Sequence, residues 1–413
     1  MIKLKLKLLI GCFMLLLSGR VIYAIEEPFM IVTHHQKVEL LYIENPQDSI
    51  LLNEGNIFSQ PELSPNQEWV MYRDNSDNLY LTNLNTLQTE MILKNIADYS
   101  WDNKNNIIYS EREGGIYRWN PTLKSSEVIV KKQSSVTYER LIVQSEQKIY
   151  ANKFCSETSD CNGVIEIDLV SHRVNMIAPF LHPLQTEDGL GENPILNKIS
   201  PDNQKVFINF APMSASATMD GSKLGYYDVN NNQLNFIHPN DLTLLIYSDQ
   251  FDINPVNSHQ LAIIKGYGRM MYEDKKLIVI DLLTNDFNEI TQSARVAQTP
   301  IFSPDGSKLL FAEGEEVLHQ VESSYIGTTH LYEYDLKTGT KKQLTTESYV
   351  VDCHPYYLKD GSLIFLRINN DKDYSIIHRE IGGKELILAK NIYRENLLYY
   401  GEYKLYKQIV VTG

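Results

Sequence analysis

The sequence repeats one short motif along most of its length. Its clearest copy is Ile-Phe-Ser-Pro-Asp-Gly-Ser-Lys at 301–308, where an apolar strand runs into a turn built from proline, aspartate and glycine. Recurrence at intervals of mostly about 35 to 57 residues is typical of repeat architectures, in which each repeat is one small structural unit. The chain is therefore predicted to be assembled from similar units. Looser copies of the motif lie at 63–66, 100–103, 199–202, 254–257 and 358–361.

The copy between 299 and 346 predicts the structure of one unit. An apolar strand before Ser303 is followed by a second strand over 308–312, a third over 330–335 and a fourth over 341–345. Turn residues separate these strands, so the unit is predicted to be a four-stranded antiparallel meander. The third strand recurs in other units and ends in Asp or Asn, which we interpret as turn formers and not as catalytic acids.

Radial repetition of four-stranded units produces a β-propeller. The N-terminal segment supplies three strands without an inner partner, and C-terminal strands near 397–400 or 407–411 could complete that blade and remove its open edge. The sequence thus predicts an all-β fold, a single β-propeller of eight four-stranded antiparallel blades closed by the N- and C-terminal strands, with seven blades as the alternative. The other units are predicted at 61–97, 98–132, 136–178, 194–238, 250–292 and 352–390.

The repeat resembles one that is known from other proteins. The motif at 302–308, together with Tyr-Asp-Leu-Lys-Thr-Gly at 334–339 and Gln-Leu-Thr at 343–345, is similar to the WD-like propeller repeat of TolB-type periplasmic proteins. The same repeat type occurs in the propeller domains of the prolyl oligopeptidase and dipeptidyl peptidase families. The resemblance implies the propeller fold, and no binding residue is carried over from it.

The first 24 residues have the pattern of a signal peptide. Three lysines precede an apolar stretch from Leu8 to Gly19, and Ala24 offers a small residue at a cleavage point. We therefore expect residues 1–24 to be a signal peptide, residues 25–413 to form the propeller domain, and the protein to be periplasmic or secreted. A lipoprotein box ending at Cys12 is the alternative, and only lipidation there would place the protein at a membrane.

The balance of charges limits the partners. The chain carries 38 basic and 52 acidic residues, a formal net charge of −14. Such a surface repels nucleic acid and anionic lipid headgroups, so neither is expected as a partner. The charge also keeps a soluble protein dispersed, and we expect a monomer.

The cysteines have separate predicted roles. In an oxidising compartment Cys155 and Cys161 are expected to form a disulfide across a short loop. Cys353 is then the odd cysteine, and a buried free thiol inside a strand is predicted for it.

Connections between second and third strands lengthen in four neighbouring units. These loops span 154–163, 211–222, 265–275 and 313–329, and long segments at 179–194 and 238–250 add to the same face of the ring. Aromatic, Arg and Met side chains are enriched in interface cores. The alternative is that these side chains pack the loops against their own blades. The side chains predicted to bind a partner are Tyr267, Arg269, Met270, Met271, Tyr272, Met213, Met219, His319 and Tyr325.

No catalytic signature accompanies the repeats. The sequence has no nucleophile elbow, His-Glu-x-x-His, Cys-x-x-Cys, phosphate-binding glycine loop or EF-hand loop, and no metal site or cofactor is predicted. The main hypothesis is an exported, non-catalytic scaffold of the cell envelope that binds an envelope protein or a glycan through the long-loop face. The alternative is a carbohydrate-active enzyme, lyase or hydrolase, with side chains converging on the central channel. His354, on a predicted inner strand, is one candidate there, and a small-ligand sensor using the same channel is a third option.

Overall fold

Short runs of leucine, β-branched and aromatic residues, each ended by a turn, form strands throughout the chain. The computed structural model describes residues 28–34, 36–186, 189–214, 221–237, 248–266, 272–317, 327–369, 373–392 and 409–412. Within these ranges there are 32 strands and three short 3-10 helices, and no helix has the length and apolarity to cross a membrane. The predicted signal peptide at 1–24 lies outside them.

The strands form eight four-stranded antiparallel units, which we number as blades in chain order. Six of them are separate sheets, and blades seven and eight are joined into one eight-stranded sheet by a single parallel pair, Thr329 opposite Val351. Blade one contains β1 (Phe29–His34), β2 (Lys37–Tyr42) and β3 (Ser49–Glu54). Blade two contains β4 (Phe58–Leu63), β5 (Trp69–Asp74), β6 (Leu79–Asn83) and β7 (Gln88–Leu93). Blade three contains β8 (Ile96–Trp101), β9 (Ile107–Glu111), β10 (Ile116–Asn120) and β11 (Ser125–Val130). Blade four contains β12 (Val136–Val143), β13 (Lys148–Cys155), β14 (Gly163–Asp168) and β15 (Val174–Pro179).

The second half repeats this plan. Blade five contains β16 (Glu192–Ile199), β17 (Lys205–Pro212), β18 (Lys223–Asp228) and β19 (Gln233–Phe236). Blade six contains β20 (Phe251–Ile253), β21 (Gln260–Lys265), β22 (Lys276–Asp281) and β23 (Phe287–Glu289). Blade seven contains β24 (Arg295–Phe302), β25 (Lys308–Glu315), β26 (Thr329–Asp335) and β27 (Lys341–Gln343). Blade eight contains β28 (Val351–Tyr357), β29 (Leu363–Ile368), β30 (Tyr374–Arg379) and β31 (Glu385–Lys390).

Blade one is completed from the other end of the chain. The last strand, β32 (Ile409–Val411), pairs antiparallel with β1, and Ile31 lies opposite Val410. Thr412 extends the pairing, because its hydroxyl accepts a hydrogen bond from Phe29 N at 2.8 Å and its amide donates to Phe29 O at 2.9 Å. The prediction that the terminal strands share a blade, and that eight blades form, is confirmed.

The core lies between the blades. One cluster packs Ile31 of blade one against Tyr72 of blade two, and corresponding clusters join each following pair. The last cluster surrounds Phe365 of blade eight and contains both Leu310 of blade seven and Met30 of blade one. Because the sequence of contacts returns to blade one, the blades form a closed ring.

The predictions for the cysteines hold. Cys155 and Cys161 form a disulfide, with their Cα atoms 6.0 Å apart. Cys353 is a free and fully buried cysteine in β28, and burial raises the pKa of its thiol well above the ordinary range.

Candidate functional site

Four of the innermost strands carry the same irregularity. In each, two residues oppose a single residue of the neighbouring strand, which makes a β-bulge. The first residue of each bulge has a left-handed backbone, with φ between 48° and 54°. A bulge bends the strand and redirects its side chains, here next to the central channel. The left-handed residues are Gln60 in β4, Arg140 in β12, Thr299 in β24 and His354 in β28.

Side chains of blades six and seven contact the bulges of blades seven and eight. Gln250 Oε1 accepts a hydrogen bond from Thr299 N at 3.1 Å, and Thr299 Oγ1 accepts one from His354 N at 3.1 Å. Asp252 Oδ2 accepts from Phe302 N at 2.9 Å. Backbone amides that leave the strand ladder are thereby satisfied, so this part of the channel wall is rigid.

A cavity of about 570 Å³ lies between the inner strands of blades five to eight. Four prolines, two isoleucines, one phenylalanine and two tyrosines give it a mainly apolar lining. Six polar residues complete the wall, among them Lys198, Asp249, Asp252 and His354. A concave, mainly apolar site with a few polar groups is the usual form of a ligand pocket.

A buried histidine–aspartate pair forms one side of this cavity. Asp249 lies in a 3-10 turn, Ser248–Gln250, that precedes β20, and its Oδ2 atom is 2.9 Å from Nε2 of His354. Only 10% of the Asp249 side chain and 6% of the His354 side chain are exposed. The pair connects blade six to blade eight, so the turn is held against the cavity wall.

An ion pair between Lys198 and Asp252 also lines the cavity. Lys198 Nζ lies 3.4 Å from Asp252 Oδ1 and also donates a hydrogen bond to Phe251 O. The same ammonium group lies 5.2 Å from the centre of the Phe251 ring. Lys198 is therefore already engaged by a carboxylate, a carbonyl and an aromatic face.

Two carboxyl groups elsewhere in the channel wall were not recognised in the sequence. Burial raises the pKa of Glu62 in β4 well above its usual range, and the nearby carboxylate of Asp98 raises it further. Burial likewise raises the pKa of Asp98, although its Oδ2 atom accepts a hydrogen bond from Leu141 N at 2.7 Å. Their proximity depends on the pairing of different blades, which spacing along the chain does not encode. Among the described residues, no group of three or more His, Cys, Asp or Glu is placed to hold a metal ion.

Two of the residues predicted to bind a partner on the long-loop face lie in described parts of the chain. Met213 is 48% exposed. Tyr272 is 6% exposed and packs in the cluster between blades six and seven, so its ring supports the loop. The other predicted residues lie outside the described residues; they are Tyr267, Arg269, Met270, Met271, Met219, His319 and Tyr325.

Three exposed apolar side chains lie in two connections on this face. Leu184 is 99% exposed and Leu190 is 42% exposed, and Gly191 next to it accepts a hydrogen bond from Met213 N at 2.9 Å. We call Leu184, Leu190 and Met213 the loop surface. The long segment that carries the two leucines was noted in the sequence, but its exposed residues were not, because apolar letters do not distinguish a loop tip from a core.

The loop surface has a fixed base. Leu181 and Glu192 form a β-bridge at the two ends of the segment, and His182 lies 3.1 Å from Asp160 of the disulfide loop. Gly191 has φ +73°, and a Cβ there would lie 2.9 Å from the Phe180 ring. The segment is thus held by its own ends and by the neighbouring loop.

Comparison with known proteins identifies the architecture. No family model and no curated protein matches the sequence. The dihydro-heme d1 dehydrogenase NirN, solved in complex with DHE, is 11% identical, with a TM-score of 0.60 over 91% of this chain and 75% of that chain. Dipeptidyl peptidase 4 of Porphyromonas gingivalis is 12% identical, with a TM-score of 0.52 over 80% of this chain and 53% of that chain. Oligogalacturonate lyase from Vibrio parahaemolyticus is 13% identical, with a TM-score of 0.50 over 86% and 92%.

TolB structures are also among the similar ones. TolB from Acinetobacter baumannii is 11% identical with a TM-score of 0.39, and the chain covers 64% of its length. The chain covers 42% of a prolyl endopeptidase to which it is also similar. The structures found thus include TolB and propeller-containing peptidases, whose repeat the sequence resembles, and dipeptidyl peptidase 4 carries the likeness of fold. At such identities the likeness shows the fold alone, and the chain has the fold of a β-propeller.

Proposed function

We propose that the protein is an exported, non-catalytic scaffold of the cell envelope that binds a protein partner through its long-loop face. The observation that carries this proposal is the loop surface, three exposed apolar side chains on two connections of this face, one of which is closed by a β-bridge at its base. Large exposed apolar side chains that are contiguous and rimmed by polar groups are typical of interaction sites. The fixed base reduces the conformational entropy that binding would cost.

The rim of the loop surface indicates the chemistry of the partner. Glu157 and Asp160 lie in the exposed disulfide loop, and Asp160 approaches His182 at the start of the segment that carries Leu184. The whole chain is acidic as well. A polypeptide that presents apolar side chains next to Lys or Arg would complement this surface in shape and charge.

Site-specific photo-cross-linking in cells tests the proposal. A photoreactive amino acid at position 184 is expected to give discrete cross-linked bands with a partner. The matched control is position 170, because Val170 is 75% exposed in a turn of blade four that lies on the opposite face. Equal band patterns from the two positions would contradict the proposed face.

A second set of variants separates binding from nonspecific proximity. With the photoreactive residue at position 213, Leu184→Asp is expected to remove the bands while Val170→Asp leaves them unchanged. A charge at the centre of an apolar contact costs binding energy, whereas one on the opposite face does not. Bands that survive Leu184→Asp would show that the loop surface does not form the contact.

A carbohydrate-active enzyme remains the second candidate function, and the pair Asp249–His354 favours it. A histidine held by a buried carboxylate, at a residue with φ +49°, is an arrangement often used for proton transfer at active sites. The parent protein and His354→Gln would be incubated with oligosaccharides, including oligogalacturonate, and products analysed by mass spectrometry. Cleavage by the parent that His354→Gln abolishes would support this function, and an unchanged substrate with the parent would exclude it for the sugars used.

A further inference from the structure

We propose that the cavity between blades five and eight is a binding site for a small organic cation, an ammonium or guanidinium group attached to an apolar body. This site lies in the channel wall and is separate from the loop surface. The inference therefore stands or falls independently of the protein partner proposed above.

Two acceptor atoms in the cavity wall have no donor among the residues that the structure describes. Asp249 Oδ1 and Asn197 Oδ1 are buried and make no hydrogen bond with the described residues. The other polar atoms of both side chains are engaged, since Asp249 Oδ2 lies against His354 and Asn197 Nδ2 donates to Asn209 Oδ1 at 2.7 Å. Buried acceptors are costly when unpaired, so these two atoms favour an occupant that donates hydrogen bonds.

The charges of the lining select a positive occupant. The lining contains two aspartates, Asp249 and Asp252, and one lysine, Lys198, so its carboxyl groups outnumber its ammonium groups. Lys198 is paired with Asp252, whereas Asp249 lies against the imidazole of His354 and keeps one oxygen without a donor among the described residues. An ammonium or guanidinium group would neutralise Asp249 and donate to its free oxygen at once.

The remaining lining selects an apolar body. Prolines and isoleucines make up much of the wall, and Tyr356 is 45% exposed at its edge. An aromatic ring beside an acidic group is a common element of sites that bind organic cations. Binding of an anionic ligand is disfavoured, because the Lys198 ammonium group is already engaged and Asp249 would repel the anion.

Calorimetry with three probes of similar shape tests the charge requirement. The full mature chain would be titrated at pH 7 with 2-phenylethylammonium, 2-phenylethanol and 3-phenylpropionate. We expect saturable binding of the ammonium probe, at least about tenfold tighter than the alcohol because a charged hydrogen bond is lost with the latter. The carboxylate probe is expected not to bind. Equal binding of the cation and the alcohol, tighter binding of the carboxylate, or no saturable binding of the cation would overturn the inference.

Matched variants locate the site. Asp249→Asn keeps the size of the side chain and removes its charge, and is expected to weaken the ammonium probe about tenfold. Asp286→Asn changes an exposed residue in a turn of the same blade and is the control that should bind normally. If Asp249→Asn does not fold, Tyr356→Leu serves as the second variant, because it removes a partly exposed ring. This variant should bind the ammonium probe about threefold more weakly and bind the alcohol with nearly unchanged affinity. Normal cation binding by a folded Asp249→Asn, or by Tyr356→Leu where that variant has to replace it, would place the probe elsewhere and contradict the assignment.

Neutral sugars provide the remaining comparison. A monosaccharide or disaccharide could also donate to the two free acceptors, but its binding would not depend on the charge of Asp249. Glucose and cellobiose are therefore expected to show no saturable binding. A sugar that binds tighter than the ammonium probe would replace the organic cation as the ligand class.

Discussion

Lys275 is a charged side chain with no exposed surface. Its Nζ atom donates a hydrogen bond to Glu273 O at 2.8 Å, yet burial lowers the pKa of the ammonium group from 10.5 to about 8. The carboxylates of Asp274, Glu273 and Glu316 oppose that decrease without cancelling it. The folded state therefore holds this proton less tightly than the unfolded chain does.

Replacing this lysine is expected to stabilise the protein at neutral pH. Below pH 8 the ammonium group is charged in both states and its burial disfavours folding, so Lys275→Met should raise the free energy of unfolding by about 1–3 kcal/mol at pH 7. Between pH 8 and 10.5 the buried amine loses its proton first, and the advantage of the variant should decrease. Urea unfolding at several pH values measures this difference. Lys337→Met, at an exposed turn, is the control, and a pH-independent difference for Lys275→Met would contradict the assignment.

Asp305 shows the opposite shift at the centre of the best-preserved turn. Hydrogen bonds from the Ser303 hydroxyl, at 2.6 Å, and from the amide and hydroxyl of Ser307 lower the pKa of its carboxyl to about 2. The interpretation of this aspartate as a turn former agrees with these bonds.

The turn is expected to lose stability as the carboxyl becomes protonated. Asp305→Ala should lower the free energy of unfolding by about 1 kcal/mol at pH 7, a modest loss because solvent screens an exposed group. A lowered pKa gives stability that is present above pH 3.8 and is lost as the pH falls toward 2, so parent and variant should converge there. The pKa can be followed by NMR of the carboxyl carbon. Asp48→Ala, at an exposed hairpin, is the control, and a pKa near 3.8 for Asp305 would refute the expectation.

The inner strands differ from ideal strands at their bulges, and this difference builds the candidate cavity. The sequence predicted where these strands lie, since the apolar runs before each turn are strong signals. The bulges were not predicted, because the residue type does not indicate a left-handed backbone when the residue is not glycine. One signal was available: Pro61, Pro300 and Pro355 each follow a left-handed residue, and proline inside a strand is typical of a bulge.

At a left-handed residue, a glycine variant is expected to be more stable than an alanine variant, which is the reverse of the usual order in a strand. Arg140 is exposed with φ +54°, so a Cβ is disfavoured there. Arg140→Gly is expected to be about 1 kcal/mol more stable than Arg140→Ala, since both lose the same interactions and only alanine keeps the strain. Glu139, one residue earlier and without a positive φ, is the control, at which alanine should be the more stable. The same order at both positions in thermal unfolding would argue against the bulge geometry.

The ring depends on the joint between the two ends of the chain. The Thr412 hydroxyl accepts from Phe29 N and donates to Phe29 O, and Thr412 is only 7% exposed. Thr412→Val keeps the shape and leaves the Phe29 amide without its acceptor, so the free energy of unfolding should fall by about 1–3 kcal/mol. Thr122→Val, at an exposed turn, should have no effect. If urea denaturation gave equal stabilities for both variants, the joint would not contribute to the stability of the ring.

The sequence predicted the assembly far better than the site. The eight blades follow from a local pattern that repeats, and the shared first blade follows from the incomplete set of strands at the N-terminal end. The disulfide joins two cysteines that are close in the chain. The pair Asp249–His354 joins residues 105 positions apart, and it exists because the ring brings blades six and eight to one channel wall. Contacts of this kind depend on which blades lie near each other in the ring, so they cannot be predicted from spacing along the chain.

The shared first blade also sets the order in which the protein can be finished. Phe29 and Thr412 are separated by 383 positions, so β1 is synthesised long before β32 exists. Until β32 is made, the edge of β1 has no partner strand, even if the other blades have already folded. A chain truncated before β32 would therefore carry the other strands and expose the edge of β1, which can pair with other chains. Such products would be natural substrates for chaperones and proteases.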